Sequence, residues 1–337
     1  MEETIAKRKW RWGFTPWLVL LFIGLGIWMA FVYPPIQPHI QMAPERLSEE
    51  GHPLFSLPII GDVYLTNTLV AMVLVDIIVI IIALVVRRSA KRSIEVGEMI
   101  PRGFSGALEA LMEFLFNLTE ETAGKWAKVI FPFFLSITLM LLVANWMELI
   151  PGVDSIGFLH EAEHGYPKQE LLPGVYAIVK GEVEHGEGAS YGVVPFVRVL
   201  STDLNFTAGL AIFAVVMIQV IGVRARGIDY FSKFINVKTF KKNVMFGAID
   251  FAVGLLEIVS EFSKIMSFSF RLFGNIFAGS VMLFVIGSLV PVLVQSVFLG
   301  LEFFVGLVQA VVFGMLTMVF MTQATMGHGG HEEEESH

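Results

Sequence analysis

The chain of 337 residues contains no cysteine. Disulfide scaffolds, thiol nucleophiles and thiolate metal centres are therefore excluded. Charge is scarce as well: 16% of residues are Asp, Glu, Lys or Arg, against about 25% in an average soluble domain. The G-x-x-x-x-G-K-[ST] phosphate loop is missing, and the AGKW at 123–126 does not supply it. No internal repeat is visible, which removes support for a carrier built from inverted repeats. What fills the chain instead is apolar: 55% of residues are hydrophobic. Length alone would suggest two soluble domains, but no ordinary soluble fold hides that much apolar surface. Composition points to a polytopic membrane protein.

Stretches of about 20 apolar residues are long enough to span a bilayer. Such stretches lie at roughly 14–33, 63–86, 129–149 and 204–223. The apolar region 244–325 is too long for one span and divides near 289–296, around Pro291, into two long helices. About six crossings result. Basic residues orient them. With the N-terminus in the cytoplasm, residues 1–13, 87–128 and 224–243 hold 17 of the 23 Lys and Arg residues on the inner side. Arg46, Lys168, Lys180 and Arg198 fall outside, and six crossings return the C-terminus to the cytoplasm. The first run, preceded by KRKWR, also resembles a signal peptide. Its length, and the FVYPP end without an A-x-A site, favour a retained anchor.

Residues 104–120 have a different character. Glu109, Glu113, Asn117 and Glu120 share one helical face, and Leu108, Leu111, Met112, Leu115 and Leu118 cover the other. This predicts an amphipathic helix along the inner interface, with packing on other protein as the alternative. Residues 151–202 form an outer insert with seven acids and three bases, and 326–337 form a Gly, His and Glu tail expected to be disordered. The organisation is then an anchor and outer segment (1–62), first helices (63–150), insert (151–202), charge-bearing helices (203–325) and tail (326–337). Within the insert, His160 to His164 spell H-E-x-x-H. On a helix that spacing would bind zinc, with Glu161 as base. Here Gly157, Gly165 and Pro167 surround it, so a solvated acidic loop is the preferred reading. A weak metal site of His160, His164 and His185 is the lesser one. An acidic insert could also gather protons as a charged funnel does, with a plain lid as the simpler role.

Ionisable residues within a membrane helix cost roughly 2.5–3.5 kcal/mol each on insertion scales, so each one is a functional candidate. Glu257, Ser260, Lys264, Ser267, Arg271 and Asn275 lie close to one face of a helix. The stripe extends about 27 Å at 1.5 Å per residue. Arg271 cannot lose its proton, so it cannot relay one. It must face carboxylates or water, or else pair with Glu257 or Glu261 to lock helices. Gly274, Ala278 and Gly279 form a small-residue patch beside it that admits a close helix. On the last helix Glu302 and Gln309 are two turns apart on one face. A desolvated carboxyl there suits a proton relay; a wet position near the outer interface is the alternative.

These residues also carry a family resemblance. The run SFSFRLFGNIFAG (267–279) closely resembles the signature of the a subunit of F-type ATP synthases, the membrane stator facing the rotating c-ring. NWMELIPG (145–152), STDLNFTAGLAI (201–212), LLEIVSEFSK (255–264) and VQAVVF (308–313) resemble further stretches of that family, in the same order. The resemblance covers roughly 63–150 and 200–325. It implies an all-α polytopic fold with two long tilted helices facing the c-ring, plus the interfacial amphipathic helix.

The resemblance implies roles at matching positions. Arg271 would be the stator arginine separating two aqueous half-channels. Asn275 and Gln309 would be polar neighbours on the ion path, and Glu257 and Lys264 polar positions preceding the arginine. Asp203, Asn205 and Glu148 would sit at the outer ends of earlier helices. One departure stands out: relatives often carry an acid nine residues after the arginine, paired with a histidine on the last helix. Those positions here are Ser280 and Glu302. The acid has moved to the partner helix, which favours Glu302 as the inlet-side relay over Ser280. The implied partners are the c-ring, b-type peripheral stalk subunits and the lipid bilayer, with one copy per complex. No nucleic acid, metal or cofactor is implied, and a bacterial plasma membrane is the favoured location. The driving ion stays open between H⁺ and Na⁺. An independent channel or carrier remains the alternative from the intramembrane charges alone.

Overall fold

A computed structural model describes residues 15–32, 43–48, 53–58, 61–96, 104–179, 190–234, 244–289 and 293–326. The helices are α1 (Thr15–Val32), α2 (Asn67–Val96), α3 (Phe104–Ala123), α4 (Ala127–Trp146), α5 (Leu204–Arg226), α6 (Val244–Leu289) and α7 (Leu293–Thr325). The expected break in the last apolar region falls as anticipated, with α6 ending at Leu289 and α7 starting at Leu293; Pro291 itself lies outside the described residues. The fold is that of an all-α polytopic membrane protein. Among the described residues, five segments are long and apolar enough to cross a bilayer: 67–89, 109–149, 204–233, 251–287 and 294–325. The remaining expected crossing corresponds to α1, an apolar helix of 18 residues that is not among these five.

The chain divides into two compact units. The larger, residues 41–159, 193–278 and 302–337, contains the site. Its core joins four helices: Ile137 and Leu141 from α4, Ala211 and Ala214 from α5, Phe268, Leu272 and Ile276 from α6, and Ala310 and Phe313 from α7. Residues 268, 272 and 276 repeat every four positions, which puts them on one buried face. A second cluster binds Leu115 of α3 to Ile130 and Phe134 of α4, Ile218 of α5 and Met318 of α7. The glycines of α7 permit the close approach. A Cβ at Gly306 would stand 3.1 Å from Asn145 Cβ, and one at Gly314 would collide with Thr138 Oγ1. Outward faces are apolar too: Ile77, Ile80, Ile81 and Leu84 of α2 are exposed, the inverse of a soluble surface and the pattern lipid requires.

α3 is amphipathic as read. Glu109, Glu113, Asn117 and Glu120 are exposed while Leu115 is buried. Its apolar side packs on α4, with Phe116 edge-on to Phe131 at 5.1 Å. α5 begins with Asp203 as N-cap, accepting from Asn205 N at 2.8 Å. It ends at Gly227, whose φ of 65° turns the chain into a 3-10 elbow, Gly227–Lys233. There Tyr230 lies against Gly222, and its hydroxyl donates to Gln219 Oε1 at 2.7 Å.

The insert departs from the expected solvated loop. It forms β3 (Pro151–Asp154), β4 (Gly157–Tyr166), β5 (Lys168–Leu172), β6 (Val175–Ile178) and β7 (Tyr191–Pro195); β1 (Phe55–Leu57) and β2 (Gly61–Val63) precede it in a separate hairpin. β4 pairs with β7, and β5 with β6 in a bulged antiparallel hairpin. Gly157 has no room for a Cβ against the Val194 carbonyl. The strand also removes the zinc reading. Residues 160 and 164 of an extended chain stand about 13 Å apart, too far to share one ion. His185 lies outside the described residues.

In the smaller unit, residues 1–40, 160–192 and 279–301, Lys168 Nζ packs over the Tyr191 ring at 4.0 Å and the Tyr176 ring at 5.3 Å. The C-terminal tail from 327 and the basic N-terminal segment fall outside the described residues.

Candidate ion-path site

α6 is one continuous helix through the whole charged stripe, so Glu257, Lys264, Arg271 and Asn275 do share one side of it. Their environments differ. Arg271 is exposed, and its Nη2 donates to Ser267 Oγ at 3.1 Å, one turn earlier. Among the described residues no carboxylate pairs with it. Pairing with Glu257 or Glu261, the alternative read from sequence, is therefore not what the structure contains.

Those two acids are engaged elsewhere. Lys233 of the elbow reaches Glu261 Oε1 at 2.9 Å and Glu257 Oε1 at 3.5 Å. Lys264 Nζ reaches the same Glu261 Oε1 at 3.1 Å. Lys233 is almost completely buried, and it also lies 4.5 Å from the ring centroids of both Tyr230 and Phe234. Lys264 adds a ring contact across to α7, 4.9 Å from the Phe320 centroid. Two ammonium groups and two carboxylates thus neutralise one another in a low-dielectric setting, where any one of them alone would be costly.

Beyond Arg271, α6 and α7 are joined by a neutral bond: Asn275 Nδ2 donates to Gln309 Oε1 at 2.8 Å. The Gln309 Nε2 group is buried with no hydrogen-bond partner among the described residues. Two turns earlier on α7, Glu302 is only 3% exposed, and its Oε1 is likewise without a partner there. The Glu302 side chain is thus shielded rather than open to solvent. A buried carboxyl and a buried amide with free hydrogen-bonding capacity, on one helix face, can pass or hold a proton or an ordered water.

The backbone around Glu302 is held by residues the sequence reading did not single out as a group. Asn145 Nδ2 donates to Gly306 O at 3.1 Å, and Ser201 Oγ donates to Asn145 Oδ1 at 2.6 Å. Trp146 stacks on Phe303 at 4.5 Å and donates Nε1–H to its carbonyl at 3.1 Å. Asn145 and Trp146 open the NWMELIPG run, so the motif was visible although its contact was not. Thr207 and Ser269 bridge α5 and α6 at 3.3 Å.

The remaining expected positions are placed as follows. Asp203 is buried and Asn205 exposed at the start of α5, joined by the capping bond. Glu148 lies in the 3-10 turn that closes α4. Ser280 is buried on α6. Asp154, outside the membrane helices, has the positive φ of 61° seen in no other non-glycine residue described. Burial pushes its carboxyl up to about 6, opposed by the nearby Arg198 guanidinium.

With this geometry in hand, similarity to known proteins is informative. Residues 69–322 match the family model described as "ATP synthase A chain". A Campylobacter jejuni protein named "ATP synthase subunit a" is 28% identical over 257 residues, covering 75% of this chain and 89% of its own. The Photobacterium profundum "ATP synthase subunit a 1" is 29% identical over 231 residues, 67% of this chain and 75% of its own. A Psychromonas ingrahamii "ATP synthase subunit a" is 29% identical over 243 residues, 69% and 78% of the two chains. The match runs from the second helix through the arginine stripe to the end of the last helix, and the chain belongs to the ATP synthase A chain family.

Proposed function

We propose that the chain is the stator subunit that forms two ion half-channels against a c-ring and couples proton flow to its rotation. The observation that carries this reading is Arg271, an exposed cation on an apolar helix with a hydroxyl neighbour and, among the described residues, no carboxylate of its own. A permanent charge so placed needs an external anion. Carboxylates of a passing rotor would supply one, each ionised when it meets the guanidinium and protonated elsewhere in its circuit.

Glu302 and Gln309, with Asn275 beside them, then line the inlet side. A proton arriving at Glu302 passes to a rotor carboxylate, which loses its charge and can turn into lipid. After nearly a full revolution the carboxylate meets the second half-channel and releases its proton before reaching Arg271. The guanidinium blocks direct passage between the two paths because it can neither give nor take a proton. Each charge crossing 100 mV supplies about 2.3 kcal/mol, so several crossings serve each ATP, made on subunits that carry the phosphate chemistry. α6 supports the geometry: 46 residues rise about 69 Å, more than twice a hydrocarbon core of about 30 Å, so a tilted course suits it. The same reading puts one copy of the chain in a bacterial plasma membrane, held by b-type stalk subunits, with both termini cytoplasmic.

The test uses everted vesicles carrying the whole complex. Arg271→Ala should abolish ATP-driven proton uptake while the chain still copurifies with the complex. Uptake at the parental rate would overturn the reading.

A further inference from the structure

Lys264 and Arg271 are seven residues apart on the same stripe of α6, about 10.5 Å along the axis. Both are cations within an apolar helix, yet only Arg271 is open. Lys264 is tied to Glu261 at 3.1 Å and covered by the Phe320 ring. Glu261 is buried, and it turns one oxygen, Oε1, to both Lys264 and Lys233. Glu257 completes a set of two cations and two anions with no net charge.

We propose that Glu261 is a specificity-determining residue. It masks Lys264 so that an anionic rotor group moving along this face meets a single cation, Arg271. This rests on the stator reading above. A rotor carboxylate is drawn to whichever cation is unpaired. Two open cations two turns apart would offer two resting places, and a carboxylate held at Lys264 would stop short of its exchange position. A salt bridge with Glu261 removes the competing site because it satisfies the ammonium from within the chain. Lys264 keeps a fifth of its side chain exposed, so losing the acid would present it to the passing group.

Masking and simple clamping give opposite outcomes in a double variant. Glu261→Gln should slow ATP-driven proton pumping about tenfold, the effect of roughly one unit of competing electrostatic preference. Adding Lys264→Gln removes the unmasked cation and should return the rate to within about twofold of the parent, since Lys233 keeps Glu257 at 3.5 Å and no open cation competes with Arg271. Lys264→Gln alone should pump normally. If Glu261 served only to anchor the elbow through Lys233, the double variant would stay as slow as the single one, and the proposal would fall. A parental rate for Glu261→Gln would also overturn it.

Where Glu261→Gln fails to assemble because Lys233 keeps only the longer contact to Glu257, the same comparison is made in a Lys233→Gln/Glu261→Gln background, with and without Lys264→Gln. Failure of all these to assemble makes Glu261 a structural anchor and refutes masking. Arg271→Ala is run in parallel. Normal pumping by that variant contradicts the stator reading itself. Lost pumping there with a parental Glu261→Gln rate contradicts masking alone.

Discussion

Past Asp250 near its start, two stretches of α6 carry charge, and they are built on opposite principles. Around 257–264 every cation has an acid within 3.5 Å, and the group is closed on itself. Around 267–275 the single cation, Arg271, has a serine hydroxyl, and one turn further on Asn275 bonds the Gln309 amide of α7. The first arrangement is how a membrane protein tolerates charge. The second leaves a charge unsatisfied at a cost of several kcal/mol. On the stator reading proposed above, the difference teaches that an intramembrane charge becomes functional through what it is denied, not through its mere presence.

Predictions follow that contrast in order of size. Removing the open cation has the largest effect, total loss of coupled pumping in Arg271→Ala, measured as ATP-driven proton uptake. Glu302→Gln comes next. A positioned acid–base group contributes about a hundredfold or more, so proton uptake should fall by about that factor with assembly intact; a parental rate would make Glu302 structural. Breaking the closed set is milder. Lys233→Met leaves Glu261 with Lys264 as partner, and should lower complex stability in a detergent melt by about 1–3 kcal/mol, with pumping per assembled complex retained.

The last effect lies outside the membrane helices and depends on pH. The Asp154 carboxyl is raised to about 6 by burial. The folded protein therefore holds a proton that the unfolded chain has released. The stabilisation from the neutral acid is full below its ordinary value of 3.8 and is lost as pH rises through about 6. Asp154→Asn, neutral throughout and tolerant of positive φ, should match the parent near pH 4. At pH 8 it should be more stable by up to about 3 kcal/mol, on a scale of 1.36 kcal/mol per unit. A stability difference that did not change with pH would contradict the assignment.

The sequence made the arginine stripe legible because charge is so rare in this chain that every intramembrane instance stands out. Helical period then placed Glu257, Lys264, Arg271 and Asn275 together without any knowledge of neighbours. What it could not display was who satisfies whom. Lys233 comes from an elbow 28 residues before Glu261, and only the Gly227 turn and Tyr230 packing bring it to α6. The reach of Asn145 across to Gly306 spans 161 residues and is invisible to local pattern. The insert escaped for a similar reason. Its Gly and Glu content reads as a loop, and β4 becomes a strand through pairing with β7, some 30 residues later.

The most direct test is a side-by-side measurement of ATP-driven proton uptake in vesicles carrying Lys264→Gln or Arg271→Gln complexes, normalised to assembled complex. Each change removes one cation from the same face of the same helix. The expected result is near-parental uptake for Lys264→Gln and none for Arg271→Gln. Equal uptake by the two variants would contradict the distinction between a satisfied charge and an open one.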